Sequence, residues 1–163
     1  MVSHRLHPTP LCSLSTAETL LVWAVRHWVQ SMRANLDPGD LLRRAFATVD
    51  AEDAAQAVDS LLWITLREAT SVRDVGCLRC PTLGEGERDI LRAVAFAQRG
   101  EHAAAVAVLA TWLPPGAARA AYAPVATIAR TLRTADLSLP LRAHPAAPLD
   151  GGTRAFERPA LLH

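Results

Sequence analysis

The sequence contains no lysine: all 17 of its strongly basic side chains are arginines. This absence excludes Schiff-base chemistry and a phosphate-binding loop of the Walker type, because both need an ammonium group. An excess of charge of one sign is lacking too, since the formal net charge is +1. A chain with balanced charge has no general attraction for nucleic acid or for an acidic membrane. Neither is therefore expected as a partner.

Long hydrophobic runs are missing as well. The longest stretch without a charged residue, 103–118, is interrupted by Pro114 and Pro115, and a membrane-spanning helix needs about 20 apolar residues. Residues 1–14 lack the apolar run of about 7–15 residues that secretory signals contain. The chain has three cysteines, and an odd number outside a secretory context argues against a disulfide framework. We therefore expect a soluble, cytoplasmic protein.

Helix-forming signals dominate what is present. Ser15 and Glu18 have the spacing of a capping box, in which each side chain accepts a hydrogen bond from the backbone N–H of the other residue. Apolar residues at spacings of three and four then predict one buried helix face. These residues are Leu20, Leu21, Ala24, Trp28 and Met32. Arg26 is predicted on the opposite face of this helix, which is expected to end near Ala34.

Five more helices are predicted from proline, aspartate and glycine positions that typically begin or end helices. Their expected ranges are 38–49, 50–70, 85–100, 101–114 and 117–135. Asp50 is predicted to cap the third helix, and the last helix is expected to kink or restart at Pro124. No segment alternates polar and apolar residues for long enough to indicate a strand.

The sequence therefore predicts an all-α fold in a single domain, arranged as a bundle of about six helices or as two three-helix halves. The domain is expected to span 1–142, with residues 1–14 extended and residues 71–84 forming a loop. Residues 143–163 contain several prolines and a pair of glycines and have few large apolar side chains, which predicts a flexible, irregular tail.

One predicted hairpin, 97–115, has small and large apolar residues at characteristic places. Gly100 lies at the turn, Ala105 is the small residue at the helix crossing, and Leu109 and Trp112 are packing positions. This pattern resembles the second half of a tetratricopeptide repeat, which implies a pair of antiparallel helices. The resemblance covers this hairpin alone, whereas a stable array needs at least about three repeats, so it assigns no family.

Two helix starts are similar to each other at an offset of 69 residues. Residues 14–25 align with residues 83–94, and Glu18 matches Glu87. An apolar residue before the cap and a glutamate at the third helical position are common features of helix starts. We therefore interpret the similarity as convergence on the same local chemistry.

The Cys77-x-x-Cys80 loop is the motif whose residue types could bind a metal ion or carry out chemistry. Two thiols three residues apart in a turn can bind one tetrahedral metal ion, and zinc is the cofactor they would hold. Structural zinc needs four ligands, and Cys12 and His7 are the further candidates if the first and fourth helices begin at the same place. The helix start that follows the loop and the charge of Arg79 are expected to favour thiolates.

Two other interpretations of the cysteine loop stay open at this point. A redox-active pair of the thioredoxin type would need a βαβ context, which the sequence does not predict. Cys77 and Cys80 can also be partly buried thiols with no chemical role.

No acid–base or nucleophilic constellation is visible, so the sequence favours a non-enzymatic protein. We expect a protein–protein interaction or assembly module that binds a partner protein or forms a homo-oligomer. The tail offers Phe156, Leu161 and Leu162 as anchors for docking. The alternative is a metal-binding or redox-linked regulator that uses Cys77 and Cys80.

Overall fold

Six α-helices make up most of the part of the chain that the structure, a computed structural model, describes: residues 8–71 and 73–142. In chain order they are α1 Thr16–Arg33, α2 Gly39–Ala47, α3 Asp53–Glu68, α4 Glu85–Gln98, α5 His102–Leu109 and α6 Pro115–Thr134. A 3-10 helix, Leu11–Ser13, precedes α1, and the described residues contain no strand. The predicted all-α, six-helix, single-domain fold is thus confirmed. The predicted tail lies outside the described residues.

The ends of the helices mostly follow the local chemistry of the sequence. Ser15 Oγ accepts from the backbone N–H of Glu18 at 3.3 Å, and the Glu18 carboxylate accepts from the N–H of Ser15 at 2.8 Å, which confirms the capping box. The prediction for Asp50 is wrong, because this residue has a left-handed φ of 56° and α3 begins at Asp53. Aspartate tolerates that conformation better than most residues, so Asp50 closes the turn after α2 instead.

Two predicted helix breaks have different outcomes. Gly100 ends the α4–α5 turn with φ of 75°, a conformation that glycine adopts without steric cost. Pro124 does not restart α6, which is one helix of 20 residues with Pro124 inside it. The hairpin of α4 and α5 buries Ala105 and Leu109 completely, consistent with the positions proposed for a tetratricopeptide-like pair.

The two halves of the chain repeat the same order of long, short and long helix. Helices α1 to α3 have 18, 9 and 16 residues, and α4 to α6 have 14, 8 and 20 residues. The last helices of the two halves, α3 and α6, pack against each other in the most extensive helix–helix interface. The first helices, α1 and α4, also pack together. Fully buried alanines such as Ala54, Ala118 and Ala121 allow the helix backbones to approach closely. In the described residues no helix has the length and hydropathy needed to cross a membrane.

Candidate functional site

The loop that carries Cys77 and Cys80 joins α3 to α4 and lies against the segment that precedes α1. Two backbone hydrogen bonds, of 2.8 and 3.0 Å, connect residues 9–11 to residues 81–83 around an isolated antiparallel bridge. The starts of α1 and α4 therefore come together. This is the arrangement that a site shared between the loop and Cys12 requires.

All five N–H groups of the Arg26 guanidinium in α1 donate hydrogen bonds, three to carbonyls of this loop and two to Glu87 of α4. Nε and Nη2 donate to the two carboxylate oxygens of Glu87 at 2.6 and 3.0 Å. Nη1 donates to the carbonyls of Cys77 (2.9 Å) and Cys80 (2.7 Å), and Nη2 also donates to that of Thr82 (2.8 Å). Arg26 is 4% exposed, so its predicted place on a solvent-facing side of α1 is wrong. Its burial is tolerated because every donor has an acceptor.

Glu87 is the acceptor that joins the loop to the start of α4. Besides Arg26, its carboxylate accepts from the backbone N–H of Gly84 at 2.7 Å and of Gly76 at 3.2 Å. A Cβ at Gly76 would overlap the Arg26 guanidinium, and a Cβ at Gly84 would overlap the carbonyl of Asp74. Both glycines thus permit a close approach that a larger residue would prevent. The loop, α1 and the first turn of α4 form one hydrogen-bonded unit.

Cys77 and Cys80 are joined by a disulfide bond across the turn. The backbone N–H of Cys77 donates to Cys80 Sγ at 3.0 Å. Cys77 is exposed, as are Leu78 and Arg79, whereas Cys80 is half-buried. The loop therefore exposes Cys77 to solvent more than Cys80.

Backbone N–H groups at the start of α4 donate hydrogen bonds to groups other than the cysteines. The N–H of Gly84 donates to Glu87, and the N–H of Gly86 donates to the carbonyl of Asp74 at 2.9 Å. The donor that does reach a cysteine sulfur is the N–H of Cys77. The backbone N–H that contacts the Cys80 sulfur thus belongs to the loop and not to the start of α4.

The predicted zinc ligands are brought only partly together. Cys12 is a free, exposed thiol, while Cys77 and Cys80 are bonded to each other. Within residues 8–71 and 73–142 no group of three or more His, Cys, Asp or Glu side chains is placed to hold a metal ion. His7 lies outside the described residues. Zinc binding by these four residues therefore stays a prediction, and it needs a reduced loop.

A second feature is an apolar groove of about 500 Å³ between α1, α3 and the beginning of α4. The large apolar side chains along it are those of Trp28, Leu62, Leu66, Ile90 and Trp112. Leu66 is 59% exposed, so part of this wall is open to a binding partner. The groove is also lined by residues 69–71 and 73–75, which lead into the cysteine loop.

Two donors of the groove residues are buried without an acceptor in the part of the chain that the structure describes. They are the indole N–H of Trp112 and the Nε–H of Arg73. Trp112 is 2% exposed, and the Arg73 guanidinium lies over its ring, 5.9 Å from the ring centre. A buried donor without a partner costs about 1–3 kcal/mol. A ligand that brings an acceptor to this place would recover part of that cost.

Glu18, the counterpart of Glu87 in the first half, is held by Arg142. Nε and Nη2 of Arg142 donate to its two carboxylate oxygens at 2.6 and 2.8 Å. Burial raises the pKa of the Glu18 carboxyl, but hydrogen bonds from Arg142 and Ser15 lower it by more, so the pKa lies below its ordinary value of 4.5. The ionised form is therefore stabilised in the folded state.

This pair predicts a pH dependence of stability. Because the folded-state pKa of Glu18 is depressed, its contribution is present above about pH 4.5 and is lost as the pH falls through the folded-state value. At pH 7 we expect Glu18→Gln to lower the free energy of unfolding by about 1 kcal/mol, discounted because Arg142 is partly exposed. Urea unfolding at pH 7, 5, 4 and 3 measures the difference, which should shrink towards pH 3. A difference that is the same at all four pH values contradicts this role of Glu18.

Two features of the site were not predicted from the sequence. Arg26 was placed on the wrong face, although one signal was available: α1 has three charged residues among 18, Glu18, Arg26 and Arg33. A helix with so few charges is buried on more than one side. The groove had no such signal, because its walls come from segments that are far apart in the sequence.

No protein-family model, no curated protein and no solved structure matches this chain. The features of this chain that point to a function are therefore the cysteine loop and the groove.

Proposed function

We propose that the protein is a non-enzymatic interaction module that binds an apolar segment of a partner protein in the groove between α1 and α3. The observation that carries this proposal is the open apolar groove with two buried, unsatisfied donors, Trp112 Nε1–H and Arg73 Nε–H. Apolar walls with a few placed polar groups are typical of binding sites. A main-chain carbonyl or a carboxylate of the partner is the acceptor that these donors would bind after a small shift of the Arg73 side chain.

The charge and size of the groove favour a particular kind of segment. Its volume of about 500 Å³ lies within the range of about 300–1,000 Å³ found for ligand sites. Arg33 lines the groove, is exposed, and has no ion-pair partner among the described residues. Its charge favours a partner segment in which acidic residues flank the apolar side chains.

Formation of a homo-oligomer is the other mode of interaction that the sequence allows. Leu36 and Leu41 are exposed apolar residues that lie outside the groove lining, so self-association through them would leave the groove free. Light scattering over a concentration series separates this case from binding of a different protein. The cytoplasmic location stays a prediction of the sequence.

The groove proposal predicts that Leu66→Glu weakens partner binding by about ten- to a hundredfold, because burying a leucine contributes about 1.5–3 kcal/mol. The partner is first captured with the tagged wild-type chain, identified by mass spectrometry and purified. Its affinity is then measured by calorimetry. Capture alone does not count as support.

The matched control is Leu36→Glu, since Leu36 is 64% exposed and does not line the groove. We expect this variant to bind the partner as the wild type does. Both variants should keep the wild-type helical circular dichroism, as both side chains are largely exposed. If both substitutions weaken partner binding equally, or if neither weakens it, the groove is not the binding site.

A second candidate function is that of a redox-linked regulator. The Cys77–Cys80 disulfide favours this over a zinc site in the state that the structure describes. The loop and the groove adjoin each other through residues 73–75, so a change in the loop has a direct route to the binding surface.

A further inference from the structure

We propose that the Cys77–Cys80 disulfide is a site of thiol–disulfide exchange in which an external thiolate attacks Cys77 Sγ and Cys80 Sγ is the leaving group. The co-reactant is a dithiol reductant, either a small molecule or a protein. The proposal rests on the second candidate function, the redox-linked regulator, and is independent of partner binding in the groove.

The difference in exposure between the two cysteine residues indicates which one is attacked. Cys77 is exposed and Cys80 is half-buried, so an incoming thiolate reaches Cys77 first. Leu78 is 45% exposed and Arg79 is exposed, so the loop also presents an apolar side chain and a positive charge to an incoming reductant. A positive charge favours the approach of a thiolate.

The hydrogen bond to Cys80 Sγ supports its role as the leaving group. The N–H of Cys77 donates to this sulfur at 3.0 Å. A donor is worth more to a charged acceptor than to a neutral one, so this bond strengthens when Cys80 becomes a thiolate. Exchange is faster when the leaving thiol has a lower pKa. The polarity of the pair is therefore set by access at one cysteine and by an amide at the other.

Arg26 keeps the two cysteines close whether or not they are bonded. Its Nη1 binds the carbonyls of Cys77 and Cys80 at the same time, at 2.9 and 2.7 Å. These contacts involve backbone atoms and do not need the S–S bond, so the dithiol form stays arranged for reoxidation. A ring closed by a separation of three residues also constrains the unfolded chain less than a long ring does. The contribution of this disulfide to the stability of the fold is correspondingly small.

The reaction balances in two displacements. First, a thiolate of the reductant forms a bond to Cys77 Sγ, the Cys77–Cys80 bond breaks, and its electron pair leaves on Cys80. Second, the other thiol of the reductant, as a thiolate, attacks the reductant's own sulfur in this mixed disulfide and releases Cys77 as a thiolate. The loop gains two electrons and, on protonation, two protons, while the reductant becomes a disulfide.

The test uses the full chain with Cys12→Ser, so that the two loop cysteines are its only thiols. The oxidised, folded protein is mixed with excess glutathione and quenched after short times with N-ethylmaleimide. Trypsin cleaves after Arg79 and so separates the Cys77 peptide, 74–79, from the Cys80 peptide, 80–88. We expect glutathione on the first peptide and maleimide on the second, about tenfold more abundant than the reverse pattern.

A second arm tests the redox function itself. Dithiothreitol without denaturant should release two thiols that can be alkylated, and the helical circular dichroism should persist. If the disulfide is reduced only after unfolding by urea, both the exchange site and the redox-linked function are overturned. If reduction occurs in the folded chain but glutathione is found equally on both peptides, or mainly on 80–88, the assigned polarity alone is wrong. If the reduced chain binds one equivalent of Zn²⁺ that blocks alkylation, the loop is a metal site and the exchange proposal is overturned.

Discussion

Glu87→Ala is expected to lower the free energy of unfolding by about 3–5 kcal/mol, the range measured when one partner of a buried ion pair is removed. The substitution leaves the Arg26 guanidinium without its carboxylate partner, and water cannot replace that partner because Arg26 is only 4% exposed. The N–H groups of Gly84 and Gly76 lose their acceptor as well. Urea denaturation followed by far-UV circular dichroism, with linear extrapolation, measures the change.

Glu85→Ala is the matched control for this prediction. Glu85 lies in the same first turn of α4, but its side chain is 61% exposed and its nearest ion-pair distance, to Arg73, is 3.6 Å. Exposed pairs of this kind contribute about 0–1 kcal/mol. A Glu87→Ala loss as small as that of Glu85→Ala would mean that the Arg26–Glu87 pair is not buried in solution.

Trp112→Ala is expected to cost about 3–5 kcal/mol, as is usual when a large aromatic side chain is deleted from a core. Trp112 is 2% exposed and belongs to the main hydrophobic cluster, although it lies beyond the end of α5. Trp63→Ala serves as a comparison, because the same atoms are removed from a half-buried position. It should cost clearly less in the same denaturation measurement, and an equal loss would contradict the described burial of Trp112.

Trp112→Phe separates the packing role of this residue from its N–H group. The indole N–H has no acceptor among the described residues, so its removal relieves an unsatisfied donor and offsets part of the lost ring volume. We therefore expect Trp112→Phe to lower the free energy of unfolding of the free protein by clearly less than Trp112→Ala does. Partner binding in the groove should weaken if the partner supplies an acceptor to this N–H. Unchanged binding would show that the indole donor takes no part in it.

Local chemistry explains why the helices were predictable. The Ser15–Glu18 capping box depends on residues three apart, and it forms as the spacing indicates. Gly100 ends a helix because its backbone adopts a left-handed conformation that other residues avoid. At Asp50 the same kind of reasoning failed, because aspartate can either cap a helix or close a left-handed turn. Contacts beyond the neighbouring residues decide between these two roles.

The candidate site was predictable in part. Cys77 and Cys80 stood out by their spacing, and that spacing is compatible with a metal ligand pair, a dithiol or a disulfide. Their partner Arg26 is 51 and 54 residues away in the sequence, and no periodicity within α1 could reveal it. The groove likewise combines side chains of α1, α3 and α4 with Trp112.

The sequence by itself determined the all-α class, the helix starts that depend on capping, and the position of the cysteine pair, because each of these follows from residues within a few positions of one another. The tertiary structure alone decided that the starts of α1 and α4 meet, that Arg26 is buried against Glu87, and that Trp112 lines a groove with its N–H unsatisfied. The physical reason is that a buried charge or an orphaned donor is defined by all the groups around it. Those groups are contributed by distant segments, and their meeting depends on how the helices pack.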